Sequence, residues 1–149
     1  MAGPLHQRGG APWVRSSATI YVGRPPDRSH VKIFCVPDCL FCGIAAGDIP
    51  ATIVSATPAT IAFRDINPQA PVHVLIIPRA HYANLGELAS AEEGLLADLA
   101  RHAREIADSE GIAEGGYRIV FNTGPDAGQS VEHVHAHLLG GRSLGWPPG

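Results

Sequence analysis

The stretch GQSVEHVHAHLL, residues 128–139, decides the fold of this chain. Its second half alternates three histidines with apolar residues: His133, Val134, His135, Ala136, His137 and Leu138. Successive side chains of a β-strand point to opposite faces. The alternation therefore predicts a strand over 134–139, with three imidazoles on one face and the apolar side chains against a core. Such a row of imidazoles either binds a metal or positions one ring as a nucleophile.

The segment before this strand helps to separate those two interpretations. Residues 122–130 read NTGPDAGQS, which is rich in small residues and neutral hydrogen-bonding groups. Backbone N–H groups, amides and hydroxyls suit an anionic oxygen, whereas metal sites usually keep carboxylates or further imidazoles nearby. The loop therefore favours nucleophilic attack on phosphorus. His135 is the candidate nucleophile because it has an imidazole on each side. The alternative is a surface strand whose histidines lie in water.

The remaining sequence predicts an α+β domain with about five antiparallel strands, one short helix and one long helix. Runs of β-branched residues predict strands over 52–55, 60–63, 72–77 and 117–121. Apolar spacing predicts the short helix over 39–46. Ser90 and Glu93 match a capping box, so we expect the long helix to run from there to about Ser109. Its predicted apolar face consists of Leu95, Leu96, Leu99, Ala103 and Ile106.

Charge and composition restrict the function and divide the chain. Residues 1–37 carry five basic residues and one acidic residue, whereas residues 38–149 carry six basic and thirteen acidic residues. The first segment reads as a disordered or dispensable extension and the second as the folded domain. An acidic domain argues against nucleic acid as a partner, and no stretch approaches the ~20 apolar residues of a membrane span. We expect a cytoplasmic protein, with organelle targeting by residues 1–37 less favoured.

Three clustered cysteines, Cys35, Cys39 and Cys42, fit a reducing compartment better than a secreted disulfide framework. Cys39 and Cys42 form a Cys-x2-Cys pair, which is half of a zinc site. The alternative is that both are small buried residues on a short helix, and the spacing alone does not decide between the two interpretations.

HVHAHLL over 133–139 resembles the signature of the histidine triad (HIT) family. The resemblance extends over about 38–149 and includes FRDINPQAPVH over 63–73, the closing segment LGGR over 139–142 and the terminal WPPG over 146–149. These features are similar to the Hint branch. The resemblance implies the HIT fold and a homodimer whose two sheets join edge to edge, which would also cover an exposed sheet edge.

The same resemblance implies a purine nucleoside phosphoramidase, a hydrolase that cleaves the P–N bonds of AMP-amine or GMP-amine conjugates. Acyl-adenylates are implied as further substrates. His135 would form a nucleotidyl-histidine intermediate, His73, His133 and His137 would support phosphate and triad, and Ser130 would aid protonation of the leaving amine. Asp65 would bind the ribose hydroxyls. The other implied nucleotide contacts are Leu40, Phe41, Ile44, Phe63, Ile66, Asn122, Gly128, Gln129 and Trp146, the last on a tail near the partner subunit's active site.

Catalysis of this kind requires no cofactor, but relatives imply a structural zinc in which His81 and His133 complete the set begun by Cys39 and Cys42. Two alternative functions remain. One is a dinucleoside polyphosphate hydrolase of the Fhit-like branch, and the other is a nucleotide-binding interaction protein with incidental catalysis. A zinc-organised structural module is a third class.

Overall fold

A five-stranded antiparallel sheet organises the part of the chain that this computed structural model describes, residues 35–148. The strands run in the spatial order β1-β2-β3-β5-β4. Their bounds are β1 Ile53–Ala56, β2 Thr60–Arg64, β3 Val72–Pro78, β4 Tyr117–Phe121 and β5 Ala136–Gly140. The predicted α+β class and five strands are confirmed, and β1 and β4 form the two edges.

The described residues also form three α-helices, of which the first precedes β1, and one short 3-10 turn. The helices are α1 Leu40–Ala46, α2 Leu85–Ala91 and α3 Glu93–Ser109, and the 3-10 turn is Pro125–Ala127. Within the described residues, no helix is both long and apolar enough to span a bilayer. The predicted extension, 1–37, lies outside the described residues apart from 35–37.

Helix α3 covers one face of the sheet with the apolar stripe that its sequence predicts. Leu95, Leu99, Ala103 and Ile106 are buried, while Leu96 is half-buried at the margin. They pack against the strand residues on this face, which are Ala62, Val74, Ile76, Val134, Ala136 and Leu138. The apolar half of the histidine stretch is therefore directed to α3, as the alternation predicts.

The other sheet face carries the intervening residues and faces α1. Leu75 and Ile77 alternate with Val74 and Ile76 along β3, and they form a second apolar cluster with Phe41 and Ile44 of α1 and with Ile61 and Phe63 of β2. His73 and His137 lie on this same face, because His137 is the register partner of Leu75 across β3 and β5. The sheet thus separates a helix-covered core from a face that holds imidazoles.

The predicted start of the long helix is wrong. Ser90 is inside α2 and donates its hydroxyl proton to the Gly86 carbonyl. The cap of α2 is Asn84, whose Oδ1 accepts the Glu87 N–H at 3.0 Å, while Glu87 accepts the Ala83 N–H. Asn84 and Glu87 also have the spacing of a capping box, so the sequence contains a second cap signal before Ser90. This earlier signal begins α2 and not the long helix. The chain then breaks at Glu92 and resumes as α3, which gives three helices instead of two.

The histidine strand begins two residues later than predicted. Val134 N–H donates to the Tyr82 carbonyl and not to a neighbouring strand, so His133 and His135 precede β5. Ring direction still follows the predicted alternation, because the His133 and His135 rings contact Phe41 of α1. The periodicity of the sequence predicted which sheet face each side chain takes. The pairing of β5 with β3 begins only at Ala136, because the Val134 N–H is already bonded to Tyr82.

A buried histidine of α3, His102, joins the helix to the β1–β2 hairpin. Its Nδ1 lies 2.8 Å from Thr60 Oγ1 and its Nε2 lies 2.9 Å from Ser55 Oγ. Thr57 Oγ1 accepts the Ala59 and Thr60 N–H groups and lies 2.8 Å from Thr60 Oγ1. With the Thr60 hydroxyl as donor to His102 Nδ1, the ring has its proton on Nε2 for Ser55. This network uses the neutral imidazole.

Lowering the pH will destabilise the fold, partly through His102. Burial lowers the pKa of His102 below its usual 6.5. As the pH falls below about 6.5, the unfolded chain takes up the proton first, so the free energy of unfolding declines from there down to the folded pKa. We expect urea denaturation at pH 7.5 and 5.5 to show a smaller decline for His102→Gln than for the unsubstituted protein. Ser55→Ala, which retains the imidazole, should retain the decline; equal slopes in His102→Gln and the unsubstituted protein would contradict this assignment.

Candidate active site and metal-binding cluster

A hydrogen bond to the backbone sets the tautomer of His135. Its Nδ1 lies 2.7 Å from the His133 carbonyl oxygen. A carbonyl can only accept, so Nδ1 carries the proton and Nε2 presents its lone pair. No hydrogen bond to this Nε2 forms within residues 35–148. The His135 ring is also held by edge contacts with the rings of Phe41 and His137, at centroid distances of 5.2 and 5.0 Å.

His73 and His137 form a directed pair beside this ring. The Gln69 backbone N–H donates to His73 Nδ1 at 3.1 Å, so His73 carries its proton on Nε2. That Nε2–H lies 2.9 Å from His137 Nδ1 and donates to it. His137 therefore carries its own proton on Nε2. One backbone amide thus fixes the tautomers of two imidazoles.

The Nε2–H of His137 is a buried donor that lacks an acceptor within the described part of the chain. Leaving such a donor unpaired costs about 1–3 kcal/mol. The unpaired N–H therefore indicates that a bound ligand supplies the acceptor. Burial, together with the neighbouring His135 and His73, lowers the pKa of His137 to about 4. The site therefore offers an N–H donor from the neutral His137 ring next to the Nε2 lone pair of His135.

Asp65 lies at the same end of β3. Its Oδ2 is 3.4 Å from His73 Nε2 and 4.0 Å from His137 Nδ1, while Oδ1 accepts the Asn67 N–H at 2.7 Å. Burial lowers the pKa of His73, against the opposing effect of the Asp65 carboxylate. Asp65, His73 and His137 are close enough to be considered as metal ligands. However, His73 Nε2 and His137 Nδ1 are 2.9 Å apart, which is shorter than the ~3.3 Å between two nitrogens on one tetrahedral zinc.

The loop before the triad is fixed by Gln129. Its Oε1 accepts the Gly124 N–H, and its Nε2 donates to the carbonyls of Ala83 and Val131. Gly128 takes a left-handed φ of 81°, which favours glycine, and closes the 3-10 turn. Ser130 follows with an exposed side chain. Gln129 was predicted to contact phosphate; here both ends of its amide position the loop that presents Ser130.

The predicted apolar slot is present in part. Phe41, Ile44 and Phe63 are buried together beside the His135 ring, with Leu75 and Ile77 as the floor from β3. Two other predicted members lie differently, because Leu40 is 47% exposed and Ile66 is fully exposed. Asn122 is half-buried directly after β4. Trp146 is 84% exposed on the C-terminal tail.

A second cluster joins α1 to the triad segment. Ligand atoms of Cys39, Cys42, His81 and His133 all lie within 4.8 Å of one another. The Nδ1 of His133 is 3.5 Å from Cys39 Sγ and 3.7 Å from Cys42 Sγ, and the Nδ1 of His81 is 3.5 Å from Cys42 Sγ. Zinc bonds of about 2.3 Å to sulfur and 2.0–2.1 Å to nitrogen give a tetrahedral S···N edge of about 3.6 Å. These four residues fit a tetrahedral zinc ion, and we call them the Cys2His2 quartet.

The tautomer of His133 agrees with this fit. Its Nε2 donates to the Pro78 carbonyl at 3.0 Å, so the Nδ1 lone pair faces the two thiols. Burial, with a smaller effect of His81 and His135, lowers the pKa of His133 to about 4 and keeps the ring neutral. His133 thus connects the two clusters: its ring belongs to the quartet, and its carbonyl orients His135.

Two residues of the site gave no chemical signal in the sequence. Gln69 acts through its backbone N–H, and no side-chain pattern reports where a backbone amide will point. Arg142 donates to the Gln69 carbonyl at 2.9 Å and braces the same loop from the C-terminal segment. The histidines and cysteines were found because their side chains carry the chemistry.

Comparison with protein families gives a match of the family described as the HIT domain over residues 46–144. The chain is 44% identical to the purine nucleoside phosphoramidase of Escherichia coli K12 over 108 residues. This aligned region is 72% of this chain and 91% of that protein. The chain is 50% identical over 113 residues to a 14 kDa zinc-binding protein of Zea mays, covering 74% and 87% respectively. The crystal structure of a HIT family hydrolase from Legionella pneumophila matches with a TM-score of 0.73 at 51% identity, over 75% of this chain and all of that one.

Proposed function

This chain belongs to the HIT family, and from its site we propose that it is a nucleotide-binding hydrolase that cleaves P–N bonds of purine nucleoside 5′-phosphoramidates. The observation that carries the proposal is the 2.7 Å hydrogen bond from His135 Nδ1 to the His133 carbonyl. It directs the Nε2 lone pair away from the backbone, where it can act as the nucleophile. The similarity to a purine nucleoside phosphoramidase supports the substrate class.

In the proposed reaction, His135 Nε2 attacks the α-phosphorus and a P–N bond to the imidazole forms while the P–N bond to the amine breaks. The proton that the departing amine needs is delivered through the Ser130 hydroxyl. The His133 carbonyl, which accepts from Nδ1, stabilises the positive charge that develops on the ring. Water then attacks phosphorus, breaks the bond to His135 and releases the nucleoside monophosphate. The nucleophile is a side chain, so this route needs no cofactor.

The unpaired donor of His137 supports the same assignment. A non-bridging phosphate oxygen beside His135 would accept the buried Nε2–H and remove its desolvation penalty. The acceptor becomes more negative as the transition state forms, so this bond strengthens during the reaction. The His73–His137 pair is fixed by the Gln69 amide, which means that the donor is oriented before substrate arrives.

The nucleoside would extend from the phosphate towards α1. Asp65 would accept the ribose hydroxyls, and the slot of Phe41, Ile44 and Phe63 would hold the base. Apolar contact area favours a purine but distinguishes adenine from guanine poorly, so we propose AMP and GMP conjugates alike.

Replacing His135 will abolish hydrolysis. We expect the unsubstituted protein to release AMP from adenosine 5′-phosphoramidate, and His135→Ala to lower kcat by roughly 10³-fold or more because the attacking atom is lost. Hydrolysis followed by chromatography of AMP measures both, with diadenosine polyphosphate assayed in parallel.

The matched control is His102→Gln, which removes a buried histidine outside the site and should leave kcat near its normal value. Preference for diadenosine polyphosphate would favour the dinucleoside polyphosphate alternative. Tight AMP binding without turnover by the unsubstituted protein would replace the enzyme proposal with a nucleotide-binding role.

We also propose that the Cys2His2 quartet binds a structural zinc ion. The S···N distances of 3.5–3.7 Å match a tetrahedral site, and a relative of this chain is named as a zinc-binding protein. Bound there, zinc would tie α1 to the triad segment. The ring of His133 would be held on both sides, by the quartet at Nδ1 and by the Pro78 carbonyl at Nε2. The carbonyl that orients His135 would then be fixed as well.

Loss of a quartet thiol will remove zinc and lower stability. We expect one zinc per chain by elemental analysis of the purified protein and much less than one for Cys42→Ser. Binding to the folded state alone contributes about 4 kcal/mol when free zinc is a thousand times Kd, so Tm should fall by roughly 10 °C. Cys35→Ser changes a neighbouring thiol outside the quartet and should keep its zinc. A full zinc content in Cys42→Ser would refute the site.

We propose a homodimer formed through β4 and α3. The edge strand β4 and α3 border an apolar groove of about 370 Å³, lined by Glu93, Leu96, Ala97, Leu99, Ala100, Ile119 and Phe121. An exposed sheet edge beside an apolar groove suits pairing with a second copy. Arg118 of β4 also holds the C-terminal tail by donating to the Gly145 carbonyl, which brings Trp146 near this edge.

A charge placed in the groove will dissociate this dimer. Ala97 is exposed on α3, so Ala97→Arg should leave the monomer folded while it blocks the apolar contact. Sedimentation velocity should then show a dimer for the unsubstituted protein and a monomer for Ala97→Arg. Glu105→Arg, on an exposed part of α3 outside the groove, should remain dimeric. A monomeric unsubstituted protein would disprove the dimer.

A further inference from the structure

A third cysteine lies beside the quartet and has no place in the function proposed above. Cys35 is exposed, whereas Cys42 is buried. The backbone N–H of Val36, the next residue, donates to Cys42 Sγ at 3.4 Å. A Cα lies about 2.4 Å from the following nitrogen by standard backbone dimensions. The Cα of Cys35 is therefore within about 6 Å of Cys42 Sγ.

The local backbone keeps this proximity. Cys39 N–H donates to the Val36 carbonyl at 3.1 Å, which folds the segment before α1 back as a turn over the helix start. Burial is the largest of the effects that raise the pKa of Cys42, and the neighbouring Cys35 thiol acts in the same direction. A disulfide needs Cα atoms about 4.4–6.8 Å apart with the two sulfurs directed at each other. The turn holds the Cα of Cys35 within about 6 Å of Cys42 Sγ, so a small adjustment of the segment before α1 brings the two sulfurs together.

We propose that Cys35 and Cys42 are a redox pair that is oxidised by small disulfides to an intramolecular disulfide, which withdraws Cys42 from the quartet. The exposed Cys35 is the entry point because an oxidant can reach it, and the buried Cys42 is the resolving thiol because it lies against Cys35. The effect on metal rests on the zinc proposed above, whereas the disulfide itself does not.

The reaction balances as a two-electron thiol–disulfide exchange. The Cys35 thiolate attacks one sulfur of the small disulfide, forms a mixed disulfide and expels one small thiol. The Cys42 thiolate then attacks the Cys35 sulfur and expels the second small thiol. Two cysteine sulfurs are oxidised, the small disulfide is reduced to two thiols, and the protein loses two hydrogens.

Loss of Cys42 as a ligand has a direct path to the active site. With one thiolate gone, the quartet retains Cys39, His81 and His133, and its zinc affinity falls. The His133 ring would then keep only its bond to the Pro78 carbonyl. Because the His133 carbonyl orients His135, oxidation would lower hydrolysis without touching any group that contacts substrate. Reduction by a dithiol would restore both.

The test uses the full chain, loaded with zinc, and oxidised glutathione as the probe. Intact mass spectrometry follows the loss of 2 Da, and a chromophoric chelator follows zinc release. All three cysteines fall between Lys32 and Arg64, so trypsin leaves them on one peptide. Cleavage before Asp38 and after Phe41 separates them and identifies which two are linked.

We expect a Cys35–Cys42 disulfide, and we expect zinc release to follow the same time course as its formation. Zinc should be released at least tenfold faster from the unsubstituted protein than from Cys35→Ser. Cys35→Ser should bind zinc normally, since the quartet is intact. A Cys39–Cys42 link, a lasting glutathione adduct on Cys35, or equal rates in Cys35→Ser would overturn the proposal. A Cys35–Cys42 link in protein that binds no zinc would sustain the redox pair and refute the zinc site, so the two failures are distinguishable.

Discussion

The hydrogen bond from His135 Nδ1 to the His133 carbonyl is the constraint on which the site depends. It chooses one of two imidazole tautomers and so decides which nitrogen can act as a nucleophile. The carbonyl is itself held, because the adjacent Val134 N–H bonds to Tyr82 and the His133 ring is fixed by Pro78 and the quartet. The orientation of the proposed nucleophile is therefore set by the backbone and not by a neighbouring carboxylate.

The two faces of the sheet have different roles. The face under α3 is a closely packed apolar core, which gives β3 and β5 a rigid shared position. The opposite face carries His73 and His137 on those same two strands, in a largely buried setting. Burial keeps the imidazoles neutral and strengthens each hydrogen bond among them. The packed core thus fixes the relative positions of β3 and β5, which keeps His73 and His137 within hydrogen-bond distance.

The quartet couples the beginning of the domain to its catalytic segment. His133 is close to Cys39 and Cys42 of the α1 region, more than ninety residues earlier in the chain. These contacts connect the two cysteines with the segment that ends at His135. A small domain has limited apolar area with which to fix a loop, and the zinc ion proposed for the quartet would help to fix this one.

The alternation of His133, His135 and His137 with apolar residues was sufficient to predict the sheet faces and the candidate nucleophile, since side-chain direction in an extended chain follows sequence parity. The quartet members were named from spacing and family resemblance, and the structure brings them together. Element ends were less predictable. Asn84 and Ser90 offered competing caps, and the start of β5 depended on a hydrogen bond to Tyr82 from a distant loop.

The sequence by itself determined which side chains could do chemistry and which face of the sheet they would share. Only the tertiary structure decided which nitrogen of each imidazole in the site carries the proton. Those protons are set by the backbone groups of Gln69, Pro78 and His133. Every residue except proline has the same N–H, and every residue has the same C=O, so the sequence holds no record of which ones will face an imidazole. Their directions exist only after the strands and loops have packed.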